Sequence, residues 1–236
     1  MLIAGLQKTS FVDFPGEPAA VVFTPYCNFD CGYCHNAHIL KQDAALIDES
    51  VVTEYITKRA GLLHALVISG GEPTLQQNLP AFIRFARELG YRIKLDTNGT
   101  KSAVLAALLE NGLLDYVAMD IKAPLSRYAE IARANVDTRE IVKSIAILES
   151  SAVPHEFRMT FAPQLTPEDA GEAAKLVRGC KRFYLQQYRA RSADDPAPHP
   201  PSALREAAAR VRENGCPCTV RGLGADEADG PAGGNA

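Results

Sequence analysis

Residues 27–34 read Cys27-Asn28-Phe29-Asp30-Cys31-Gly32-Tyr33-Cys34. Three thiolates spaced by four and three residues can hold three corners of an iron–sulfur cube. The fourth iron then lacks a protein ligand and can bind a substrate or cofactor. Clusters that only carry electrons usually have four cysteine ligands, and structural zinc sites also close with four. The triplet therefore points to chemistry at the metal. Gly32 lets the loop bend tightly, and Phe29 and Tyr33 can screen a cluster from water, a lever on its potential. A zinc site completed by His35, His38 or a tail cysteine is the alternative.

The triplet follows an apolar run at 19–24 that reads as a buried strand. Further strands are expected at 65–69, 91–96, 116–121, 155–161 and 182–187. Helical spacing falls at 47–59, 79–89, 102–111, 137–150 and 167–178. Such alternation predicts a parallel sheet with helices outside. Six β/α repeats are two short of a closed eight-fold barrel, so the expected fold is α/β, a partial (β/α)6 TIM-like barrel. In parallel α/β folds the chemistry gathers at the carboxyl ends of the strands. Gly70-Gly71-Glu72-Pro73, Asp96-Thr97-Asn98-Gly99 and Asp120-Ile121-Lys122 all fall there, and so does the triplet. One mouth would collect all four.

In this order the motifs resemble those of the radical S-adenosylmethionine (SAM) superfamily, across nearly the whole chain. The resemblance implies a [4Fe–4S] cluster on Cys27, Cys31 and Cys34, which are also the catalytic residues, and SAM chelated to the open iron. The reduced cluster would pass one electron into the sulfonium, breaking a carbon–sulfur bond. Gly70, Gly71, Glu72 and Pro73 would form the cofactor loop, with Glu72 accepting from an ammonium group. Asp96, Thr97 and Asn98 match a second cofactor segment, and Asp120, Ile121 and Lys122 a third. Lys122 would pair with the cofactor carboxylate, and Asp96 and Asp120 would lie near it or share a monovalent cation. Arg158 matches an arginine that contacts the ribose. Arg189 stands where related activators have a histidine, and is expected to bind a carboxylate. Tyr33 and His35 complete the expected cofactor contacts.

The opening residues 5–16 and the triplet most resemble activating proteins of anaerobic ribonucleoside-triphosphate reductases. These remove a hydrogen atom from a glycine of a partner enzyme, here the large subunit of an anaerobic ribonucleotide reductase. Asp13, Phe14, Pro15 and Gly16 stand at the substrate loop of pyruvate formate-lyase activators. Asp13, Pro15 and Gly16 are thus candidate substrate contacts, with a plain proline–glycine turn as the alternative. A flavodoxin- or ferredoxin-type donor would supply the electron. Another glycyl-radical enzyme, a small-molecule substrate as in 7-carboxy-7-deazaguanine synthesis, and a non-catalytic metal-binding docking module stay open.

The remaining features bound the surroundings. A net charge of −3 leaves no basic excess for nucleic acid. No apolar run approaches ~18 residues, so no membrane span is expected, and residues 1–5 lack the pattern of a signal peptide. A cytoplasmic location follows, where six cysteines favour metal ligation over disulfides. Residues 35–69 hold no cysteine, so the insert that carries extra clusters in some activators is missing. Cys216 and Cys218 are expected to be two free thiols near a flexible end, with a tail metal site as the alternative, and Cys180 has no assigned role. Residues 202–214 read as a short surface helix. Residues 1–222 form the expected domain, and 223–236, poor in large apolar residues, should be disordered.

Overall fold

The computed structural model describes residues 1–40 and 44–224. One sheet runs in sequence order through β1 (Gly5–Phe14), β2 (Glu17–Thr24), β3 (Ala65–Gly70), β4 (Arg92–Thr97), β5 (Tyr116–Asp120), β6 (His155–Phe161), β7 (Phe183–Gln187) and β8 (Cys218–Arg221). β1 pairs antiparallel with β2, and every later pair is parallel. Among the described residues β1 and β8 do not pair, so the sheet stays open like a split barrel. The helices are α1 (Glu49–Arg59), α2 (Leu79–Glu88), α3 (Ser102–Glu110), α4 (Tyr128–Ala132), α5 (Thr138–Ser150), α6 (Pro167–Ala174) and α7 (Pro201–Glu213).

Side chains alternate across each strand, and this period of two divides the core. Ala20, Val22, Leu66 and Ile68 face the helices in one large cluster. Ala19, Val21, Ala65 and Val67 point the other way and pack with Phe14 and Tyr116 inside the half-barrel. Local signals set the helix starts. Asp48 accepts from the Ser50 N–H before α1 and Asp137 from the Arg139 N–H before α5. Thr166 and Asp169 cap α6 reciprocally.

The partial barrel is observed, with seven parallel strands rather than six. β8 was missed because four residues after Cys216-Pro217 are too few to show a period. β1 was missed because it does not alternate: only Ser10 and Phe14 are buried, and its pairing slips twice. Pro15 and Gly16 form the two-residue hairpin turn between β1 and β2, with Gly16 at φ 76°, a conformation that glycine adopts without strain. α7 is no loose surface helix. It buries Leu204, Ala207, Ala208 and Val211. Cys180, Cys216 and Cys218 are buried too, and Cys216 Sγ lies 3.2 Å from the Val177 carbonyl. Cys216 and Cys218 thus pack in the core rather than at a flexible end, because β8 returns the chain to the sheet. The expected disordered tail lies, from residue 225 onward, outside the described residues.

Candidate active site

At the carboxyl ends of the strands the inward positions turn polar. Ser69, Asp96, Asp120, Arg158, Thr160 and Gln186 line a cavity of about 450 Å³ together with Cys27, Cys31 and Cys34. The triplet loop is joined to the glycine loop through backbone. Gly71 N–H donates to the Thr24 carbonyl and Glu72 N–H to the Tyr26 carbonyl, each at 2.8 Å. Tyr26 itself holds φ 65°, a strained value for a non-glycine residue. A Cβ on Gly71 would sit 1.7 Å from the Tyr26 carbonyl oxygen, and one on Gly70, at φ 112°, 2.4 Å from the Thr24 nitrogen. Both glycines are therefore demanded by backbone packing against the segment that leads into the cysteine loop. Asn36 Nδ2 adds a bond to the Gly70 carbonyl at 3.1 Å.

Glu72 already has several partners within the chain. It is fully buried, and four donors occupy its carboxylate. Oε1 accepts from Thr74 N–H at 3.1 Å, the Thr74 hydroxyl, and the Thr97 hydroxyl at 2.8 Å; Oε2 accepts from Asn98 N–H at 2.6 Å. Three of these donors fall on Oε1 and one on Oε2, and Glu72 is not among the residues that line the cavity. It rivets the glycine loop to the end of β4. Burial raises its carboxyl, against the pull of these donors. Asn98 extends the network by donating to Asn28 Oδ1 at 2.9 Å, and Asn28 donates to the Thr100 hydroxyl at 2.8 Å.

The charged centre is a ladder of alternating sign. Arg158 Nε donates to Asp120 Oδ1 at 3.0 Å and Nη1 to Asp96 Oδ2 at 3.3 Å. Lys122 Nζ pairs with Asp120 Oδ2 at 2.9 Å, and Lys94 Nζ lies 3.2 Å from Asp96 Oδ1. Both carboxylates have cationic partners within the chain, and Arg158 bridges the two. Burial raises the Asp120 carboxyl, but Arg158 and Lys122 outweigh it and hold the group at about 2. Burial likewise opposes charge on Lys122, and Asp120 overcomes it, so the ammonium is held well above its usual range.

A value below the ordinary 3.8 means that Asp120 stabilises the fold fully above about pH 4. That contribution, on the order of 2 kcal/mol, disappears as the pH falls toward 2. We expect the stability gap between the wild type and Asp120→Asn to narrow steadily between pH 5 and pH 2. Denaturant unfolding at each pH measures it, and a constant gap would contradict the ion-pair assignment.

Several expected contacts lie elsewhere. Ile121 is buried in the helix-facing core, because it alternates with Asp120 and Lys122. Pro73 is buried at the start of a short 3-10 turn, outside the cavity wall. Arg189 is exposed and does not reach the cavity. Pro15 and Gly16 sit at the amino ends of the parallel strands, away from the mouth, whereas Asp13 does line the lumen. Gly70, Gly71, Thr97, Asn98, Tyr33 and His35 are on the wall. Sequence reasoning missed Lys94, Ser69, Thr160, Gln186 and Arg191. The first four share the inward face with Asp96 or Arg158, so the period of two carried their signal. Arg191 lies in a loop and had none.

The sequence model of the radical SAM superfamily matches residues 21–177. The chain belongs to the radical SAM superfamily. It is accordingly an enzyme. A protein of Methanocaldococcus jannaschii, provisionally named a glycyl-radical enzyme activating enzyme, is 36% identical over 202 residues, or 82% of each chain. A radical SAM methyltransferase from Sphaerobacter thermophilus superposes with a TM-score of 0.67 at 18% identity, over 90% of this chain and 68% of its own. A domain of pyruvate-formate lyase-activating enzyme from Bacteroides vulgatus gives a TM-score of 0.54 at 14% identity, over 67% of this chain and 99% of its own. At such identities these two likenesses establish the fold alone.

Radical SAM membership implies a [4Fe–4S] cluster and SAM, and the residues fit both. Three thiols from one loop open onto one cavity. The Tyr33 hydroxyl on its wall is buried with no hydrogen-bond partner among the described residues, a group that a bound molecule can satisfy. Among the described residues no three His, Cys, Asp or Glu side chains converge on a point that could hold one metal ion. A zinc site needs such convergence, whereas a cubane spreads its thiolates over separate irons. The tail cysteines, packed in the core, are not on this wall and do not complete a zinc site. Without metal, burial pushes the Cys27 thiol up to about 11 and raises Cys31, with Lys122 pulling Cys31 back.

Proposed function

We propose that this radical SAM enzyme generates a glycyl radical on an anaerobic ribonucleoside-triphosphate reductase. The observation that carries the catalytic part is the three-cysteine loop opening onto a lumen of fixed charges, with no fourth cysteine among the described lining residues. The choice of a glycyl-radical target rests on the relative that matches 82% of both chains at 36% identity. The reductase as that target rests on the resemblance of residues 5–16 and of the triplet.

Cys27, Cys31 and Cys34 would hold the [4Fe–4S] cluster. When bound, the cluster and SAM together supply a one-electron cleavage and then abstraction of a hydrogen atom from substrate. The chain's own residues bind and orient. Lys122 would present its positive charge to the methionine carboxylate and Arg158 to the ribose. Asp120 and Asp96 hold those two cations in place. Glu72 and Asn98 lock the wall beside the triplet. Phe29 and Tyr33, both buried, exclude water from the cluster side. The unpaired edges of the sheet leave the mouth open to a glycine loop of a partner protein. A flavodoxin- or ferredoxin-type donor would deliver the electron, and the cytosol keeps the thiols reduced. No described helix is long and apolar enough to cross a membrane.

The test is anaerobic reconstitution with iron and sulfide, then dithionite and SAM, in the presence of reductase or of pyruvate formate-lyase. We expect 5′-deoxyadenosine, and a glycyl-radical resonance on the reductase alone. A resonance only on pyruvate formate-lyase would reassign the target. The absence of any 5′-deoxyadenosine from loaded wild-type protein would sink the catalytic reading.

A further inference from the structure

The loop after β7 crosses to the cysteine loop, although five strand pairings separate their parent strands. Arg191 makes the crossing. Its Nη2 donates to the Gly32 carbonyl at 2.9 Å and its Nη1 to the Cys34 carbonyl at 3.2 Å. Asp195 holds the same guanidinium from behind. Arg191 Nε and Nη2 donate to its two oxygens at 3.0 and 2.9 Å, and the Arg191 backbone N–H adds a third bond at 2.8 Å. Four of the five guanidinium N–H groups are thus used, two on the acid and two on the loop. This fork is specific to arginine. A lysine ammonium has three donors and no plane.

The other side of the loop is also held. Asp30 N–H donates to the Ala132 carbonyl at 2.9 Å, at the end of α4. Arg133, in the left-handed region at φ 50°, lays its guanidinium over Gly32, where a Cβ would meet it at 2.6 Å. The segment between Cys31 and Cys34 therefore sits between two arginines. One clamps it through its carbonyls, and the other packs on its bare α-carbon.

We propose that Arg191, locked by Asp195, is a positioning residue that clasps the cluster loop, fixing Cys34 and Gly32 for the [4Fe–4S] cluster and setting a positive charge beside it. This rests on the reading that the three cysteines carry that cluster. Partners of metal ligands commonly govern how firmly a metal is held, with losses of about 10–100-fold on mutation. A neighbouring cation also favours the reduced, more negative cluster, and so raises its potential. A surface ion pair between Arg191 and Asp195 alone would do neither.

The experiment uses the full chain, reconstituted anaerobically, in the wild type and in Arg191→Ala, Asp195→Asn and Arg191→Lys. Cluster loss to a ferrous chelator is followed by absorbance, the midpoint potential by spin resonance, and the fold of the metal-free proteins by thermal melting. We expect about tenfold faster stripping in Arg191→Ala and Asp195→Asn with unchanged melting. The potential should be more negative in Arg191→Ala. Arg191→Lys should restore the potential, which needs only the charge, but not the slow stripping, which needs the fork. Stripping within twofold of the wild type in both Arg191→Ala and Asp195→Asn overturns the clasp, as does stripping that tracks a fall in melting temperature. If the wild type takes up no cluster, the cluster reading itself fails and the clasp fails with it.

Discussion

Cys31→Ala, reconstituted anaerobically beside the wild type, is expected to form no 5′-deoxyadenosine above background and to lose the cluster resonance. Cys31 is the middle sulfur of the triplet and lines the cavity with the other two. Two thiolates would leave two irons without protein ligands, and the cubane would have no fixed seat. Among the described residues no fourth cysteine lines the cavity to replace it, and Asp120 and Lys122 are bound to each other. The control is Cys180→Ala. Cys180 is also buried, but in the core rather than on the cavity wall, so it should cost some stability and leave iron content at about four per chain. Iron analysis and product chromatography decide the matter. Equal iron in Cys31→Ala and the wild type would mean that the cluster sits elsewhere.

Glu72→Ala should be the most damaging change that touches neither a thiol nor the cavity. The carboxylate is enclosed and accepts from two backbone N–H groups and two hydroxyls. Removing it strands the Thr74 and Asn98 N–H groups in a dry site. Each orphaned donor costs about 1–3 kcal/mol, so a loss of roughly 3 kcal/mol or more is expected. Thr97 and Thr100 flank the same turn, and Asn98 carries the bond to Asn28, so the cysteine loop should loosen too. Glu72→Gln should fall between, since its amide must turn a donor toward Thr97 or Asn98. Denaturant midpoints measure the stability, and calorimetry measures SAM binding to the loaded protein. If Glu72→Ala unfolded like the wild type yet failed to bind SAM, Glu72 would be a direct cofactor contact rather than a rivet.

These two residues mark how far local sequence carries. The triplet was legible because its chemistry lies in spacing within eight residues. The strand ends were legible because a parallel strand with both faces buried reads as an apolar run, and a polar residue breaks that run where the mouth begins. Asp96 and Asp120 were found in this way, Arg158 came from the family resemblance, and Lys94 could have been read from the same inward face. Glu72 was located, but its partners within the chain were not. A sequence shows that a carboxylate follows two glycines, not that four donors converge on it. Ile121 and Pro73 failed similarly, since a motif names neighbours in the chain while alternation sends their side chains to different faces.

By itself the sequence determined the α/β half-barrel, the end of it that carries chemistry, and the three sulfur donors. All of these are set by periodicity or by separations of a few residues. Only the tertiary structure decided that β1 and β8 flank an open sheet, that Gly70 and Gly71 are bare to admit Tyr26 and Thr24, and that Arg191 rather than Arg189 reaches the cysteine loop. Those facts depend on segments distant in the chain meeting at hydrogen-bond range, and a loop has no period from which such a meeting can be read.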